Sequence, residues 1–130
     1  MIALYCIFAP FIVWPFELFF PYPFIVEELA KTLIVFFALK SKGSFPQFLK
    51  TFILAGVLFA FSETVLYLIN INLLGKISLL FVRFLSTSLL HSLTFVVIAA
   101  IGFKNKKLLW LGFFLAALIH YLYNRLVAIS

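Results

Sequence analysis

Residues 79–103 read LLFVRFLSTSLLHSLTFVVIAAIGF, an apolar run interrupted by one arginine and one histidine. A helix rises about 1.5 Å per residue and needs about 20 mostly apolar residues to cross about 30 Å of hydrocarbon. This run is long enough, and its natural solvent is lipid. Four further stretches match or approach it, at about 2–20, 24–40, 51–70 and 108–128. They fill most of a 130-residue chain in which 66% of residues are apolar and 11% charged, against about 45–50% and about 25% in a soluble domain. A water-soluble globule is excluded. The chain also lacks the alternating apolar and polar pattern of an outer-membrane barrel strand. The reading is an all-α integral membrane protein, a single transmembrane domain over residues 1–130. It has five transmembrane helices, of which the second to fifth form a four-helix core around a polar cavity.

Charge placement orients these spans. The net charge is +6, but eight of the ten cations are lysines, and seven of those lie between apolar stretches. Three lysines fall in 40–50 and three more in 104–107. The positive-inside rule puts both segments in the cytoplasm. The N-terminus is then cytoplasmic, while the turn at Pro21, the Asn70–Lys76 loop and the C-terminus are external. This is a multi-pass cell-membrane protein whose partner is the lipid bilayer, and nucleic acid is not expected. The first stretch carries Pro10, Pro15 and Glu17, which predict a kink; without a basic leader or a small-residue cleavage site it reads as a retained helix. Cys6 is the sole cysteine, so no disulfide is possible within one chain.

An ionisable side chain inside a membrane costs roughly 2.5–3.5 kcal/mol on insertion scales, so each one needs a partner, water or a task. Glu27, Glu28 and Lys31 lie on the second helix, Glu63 and Tyr67 on the third, Arg83 and His91 on the fourth, and His120, Asn124 and Arg125 on the fifth. Counted along alternating helices, all four sets fall in the outer half of the bilayer. Glu27 and Lys31, Glu63 and Tyr67, and His120 and Asn124 are each four apart, which gives each pair one helical face. Such a cavity has the parts of a hydrolase. A carboxylate beside a cation in low dielectric can act as general base for water, and Asn or His can donate to an oxyanion. Glu and His can equally hold Zn²⁺, which takes three protein ligands and a water in catalytic sites. The residues alone leave a metal-free and a metal-bound mechanism open.

The sequence Glu27-Glu28-Leu29-Ala30-Lys31 resembles the EExxK motif of the PrsW intramembrane proteases, and Phe61 to Tyr67 resembles their FxExxxY motif. Arg83 followed by His91, and His120 with Asn124 as HxxxN, resemble the third and fourth motifs. The order is that of the family, one motif per helix over residues 24–128. The resemblance implies a prokaryotic membrane endopeptidase related to the CAAX prenyl protease and Abi group, of glutamate or metalloprotease type. It implies that Glu27 and His91 activate the attacking water, with Glu28 beside them, and that His120 and Asn124 stabilise the oxyanion. Lys31, Glu63, Tyr67 and Arg83 would support them. A metal, if used, would be Zn held by Glu27, His91 and His120. The implied partner is a membrane-anchored protein substrate resembling an anti-sigma factor.

Plainer readings exist for each group. Glu27, Glu28 and Lys31 could be a headgroup ion pair at a helix start. Glu63 could bridge to Arg83 or Lys31. His91 could be interhelical hydrogen-bond glue, and His120 with Asn124 part of an interfacial aromatic belt. Arg125 is expected to snorkel to the headgroups. At the level of the whole chain, a small proton-coupled transporter needs a polar path continuing to the cytoplasmic side. A non-catalytic assembly subunit needs its polar groups packed without room for water.

Overall fold

A computed structural model describes residues 1–41, 43–70 and 77–129. It contains five helices, α1 (Ile2–Glu17), α2 (Pro23–Ala38), α3 (Phe45–Asn70), α4 (Ile77–Lys104) and α5 (Leu109–Ile129), and no strand among the described residues. The expected external loop at 71–76, and Lys42 of the first lysine cluster, lie outside the described residues.

Three segments are long and apolar enough to cross a membrane, Phe45–Leu68, Leu80–Lys104 and Lys106–Val127. Helices α1 and α2, at 16 residues each, reach only about 24 Å. The expected first span to residue 20 is therefore too long. The chain leaves the helix after Glu17 through short bonds from Phe19 N to Phe16 O and from Phe20 N to Glu17 O, ahead of Pro21 and Pro23. Proline disfavours helical backbone in the residue before it, while Pro23 itself begins α2, where its missing N–H costs nothing. Helix α3 begins six residues earlier than position 51, because Pro46 sits in its first turn. Lys50 is thus an exposed helical residue and not a loop residue.

The helices pack as a ring: α3 lies on α4, α4 on α5, α5 on α2, α2 on α1 and α1 on α3, with α2 also touching α4. Helix α1 joins the bundle and buries Cys6, Ala9 and Pro10. At the lysine-rich end the rings of Phe48, Phe52 and Phe95 pack in series, Phe48 edge-on to Phe52 with centroids 4.9 Å apart and Phe52 stacked on Phe95 at 5.6 Å. Close approach of α3 to α4 depends on Gly56. A Cβ there would stand 2.3 Å from Ser92 Cα and 2.6 Å from the His91 carbonyl carbon. Beside it Ser92 Oγ donates to the Ile53 carbonyl at 2.9 Å. The contact sets how near α4's His91 comes to α3's Glu63. Outward faces carry Leu, Phe and Trp side chains such as Phe81, Leu89, Trp110 and Phe114, each at least 60% exposed, as a lipid-facing surface requires.

Candidate functional site

Lys31 is the hub. Its side chain is fully buried, and its Nζ donates to Glu28 Oε1 at 2.6 Å, to His91 Nδ1 at 2.7 Å and to Thr94 Oγ1 at 3.1 Å. An ammonium has three N–H donors and no acceptor, so the three contacts satisfy it completely in a dry setting. The rings of Phe59 and Phe95 lie 5.0 and 5.8 Å from it. The sequence spacing paired Lys31 with Glu27, four residues back; the structure pairs it with Glu28, three back. Both separations place side chains on one helix face, and Glu28 is the carboxylate turned toward Lys31.

From this hub the network crosses every helix that carries a motif. His91 accepts at Nδ1, so Nε2 carries the proton and donates to Glu63 Oε2 at 2.6 Å. Glu63 Oε1 takes Arg83 at 2.9 Å, and the Arg83 guanidinium lies 4.0 Å above the ring of Tyr67. Glu63 is thus bridged to Arg83, as its plain reading expects, and to His91 as well. On the other side, Glu28 Oε1 pairs with His120 Nδ1 at 2.7 Å. Glu27 Oε2 stands 3.9 Å from the same nitrogen, and that oxygen is buried with no hydrogen-bond partner among the described residues. The His91 and His120 rings approach edge-on at 5.5 Å.

Two cavities flank the network. One, of about 650 Å³, is lined by Glu63, Arg83, His91, His120, Tyr123 and Asn124. Asn124 is exposed into it, one turn beyond His120. The other, of about 380 Å³, is walled by Trp14 and Glu17 of α1 and reaches Glu27 and Glu63. Glu63, Tyr67 and Arg83 line both. Arg125 stays at the surface beside Tyr121, 5.9 Å from its ring.

The sequence reading missed two contributors. Thr94, three residues after His91 and so on the same helix face, supplies the third acceptor for Lys31; that spacing was the available signal. Glu17 was legible only as a stray acid, and nothing local placed it on the cavity that reaches Glu27.

The donor set can be tested against a metal. Glu27, His91 and His120 each offer a ligand atom, and these atoms lie within 4.8 Å of one another. Two imidazoles and a carboxylate are a common catalytic zinc set, and the orphaned Glu27 oxygen is the kind of buried atom a cation would satisfy. His120 is oriented through Nδ1 by Glu28, the carboxylate–histidine arrangement that steadies metal ligands. His91 has both nitrogens engaged, so it would ligate by exchanging one contact. The residues fit a divalent ion.

A family model described as PrsW family intramembrane metalloprotease matches residues 8–130. The chain belongs to that family. No curated protein and no solved structure matches it. Membership in the PrsW family agrees with the four motifs and with a membrane protein built from long apolar helices.

Proposed function

We propose that this PrsW family member hydrolyses a peptide bond of a membrane-anchored protein in the outer half of the bilayer. The observation that carries the reading is the buried, unpartnered Glu27 oxygen beside His120 and His91. Glu27 takes a proton from water as the water attacks the scissile carbonyl carbon. The C–N bond then breaks, and the proton passes to the leaving amine. With Nδ1 held by Glu28, His120 donates to the oxyanion from Nε2 in its doubly protonated form, and Asn124 donates beside it, a role worth about 10² to 10³ in rate per donor. Glu28 holds His120, and Lys31 with Glu63 holds His91. In the metal-bound alternative Glu27, His91 and His120 would instead hold a divalent ion, which would polarise the carbonyl and make the attacking water more acidic.

Two rival classes are disfavoured. A proton relay needs polar groups continuing toward the lysine-rich end; among the described residues the buried side chains in that direction include Val35, Ala38, Phe48, Phe52, Phe95 and Ile98, and the buried Thr32 hydroxyl is turned back to the Glu28 carbonyl at 2.8 Å. An inert assembly subunit would have its polar groups packed without space, whereas about 650 Å³ lies open beside His91 and His120. The lysine-rich ends support a cytoplasmic N-terminus, an external C-terminus and an external site. A site so placed suits cleavage of a membrane-bound regulator of the anti-sigma-factor kind, by analogy with the family alone.

The test is cleavage of a membrane-anchored reporter by the purified, reconstituted chain. Glu27→Gln and His120→Ala are expected to lose it while keeping the parent's helical circular dichroism. Equal rates in both variants and the parent would sink the assignment.

A further inference from the structure

On its α4–α5 side, the polar cavity is closed by a thin wall. Tyr123 on α5 donates its hydroxyl to Ser86 Oγ on α4 at 2.8 Å. Ser86 in turn donates to the Arg83 carbonyl of its own helix at 3.0 Å. Ser86, Leu90 and Tyr123 line the polar cavity on one side and, on the other, an apolar groove of about 450 Å³. The groove is walled by Leu89, Leu93, Leu122 and Leu126, which are 75, 51, 51 and 70% exposed. One layer of side chains therefore separates a lipid-facing groove from His91, His120 and Asn124.

We infer that this groove docks the transmembrane segment of the substrate, and that the segment enters the cavity by parting the Ser86–Tyr123 contact. The inference rests on the protease reading above. The occupant follows from continuity with the polar cavity and from chemistry. An apolar helix held in the bilayer can lie against the four leucines without losing its lipid-like surroundings. Hydrolysis requires a locally unwound backbone, and unwound N–H and C=O groups find no partner in hydrocarbon. Once separated, the Ser86 and Tyr123 hydroxyls can donate to and accept from that backbone at the threshold. The wall is thus both a barrier in the resting protein and a set of partners in the open one.

The experiment uses the full chain in liposomes with a membrane-anchored reporter. In a Glu27→Gln background, a photo-crosslinking residue is placed at Leu93, at Leu122 or, as a control, at Ile12 on α1, which packs on α2 and α3. Cross-links to the reporter's apolar segment are expected from Leu93 and Leu122 and not from Ile12. In the active protein, Ser86→Cys with Tyr123→Cys is bridged by a cleavable bis-thiol reagent. Bridging is expected to slow cleavage by at least about tenfold, and reduction to restore it, as for a gate that must open. Cross-linking no stronger at Leu93 and Leu122 than at Ile12, or full activity in the bridged protein, overturns the proposal. Loss of cleavage in the parent itself would refute the protease reading instead, and the cross-linking pattern would still decide the docking.

Discussion

Replacing Lys31 by Met isolates what the buried hub contributes. Met has nearly the same length and suits the surrounding phenyl rings, so packing changes little and charge changes most. Glu28 then keeps only its contact with His120, and the acceptors on His91 and Thr94 lose their donor. Removing one partner of a buried ion pair costs about 3–5 kcal/mol, because the other charge is left without compensation. At about 1.4 kcal/mol per factor of ten, Lys31→Met shifts the unfolding equilibrium by roughly two to four powers of ten. Adding Glu28→Gln removes the stranded charge and should return at least about 2 kcal/mol, a coupling expected only for groups in direct contact. The assay is denaturing-detergent titration of the parent, both single variants and the double variant in mixed micelles, followed by circular dichroism. A loss below about 1 kcal/mol for Lys31→Met, or a double variant equal to the sum of the singles, would refute a dry, paired hub.

Other outcomes follow from the same geometry. Gly56→Val should cost about 1–3 kcal/mol by overpacking against the α4 backbone and should also lower cleavage by moving His91 from Glu63, whereas Gly43→Ala, whose nearest contact is the flexible Gln47 side chain at 3.3 Å, should stay within about 0.5 kcal/mol. Both are read by the same titration. Asn124→Ala should reduce cleavage by about 10² to 10³ if it donates to the oxyanion, with an unchanged unfolding midpoint because the side chain is exposed in the cavity. In the metal-bound alternative, stripping metal with a chelator should abolish cleavage and Zn²⁺ should restore it, and His120→Ala should lower bound zinc measured by elemental analysis; full cleavage in the presence of the chelator would leave Glu27 as the metal-free base. Zinc retained at parent level in that variant would remove His120 from the ligand set.

Taken by itself, the sequence determined that the chain is helical and belongs in lipid, which residues are costly there, and that these recur one motif to a helix. Those conclusions need only composition, run length and spacing along one strand of covalent chain. Its boundaries were weakest where proline acts, ending α1 at Glu17 and allowing α3 to begin at Phe45. Tertiary structure decided that Lys31 takes Glu28 and not Glu27, that His91 is held between Lys31 and Glu63, that α1 brings Glu17 to a cavity reaching Glu27, and that Ser86 and Tyr123 close the α4–α5 wall. The physical reason lies in the solvent. Lipid tails are as apolar as leucine, so burial does not set how each helix rotates about its axis. Helices that are apolar nearly all round are turned and paired by backbone approach, as at Gly56, and by the need of each buried charge for a partner on a neighbouring helix.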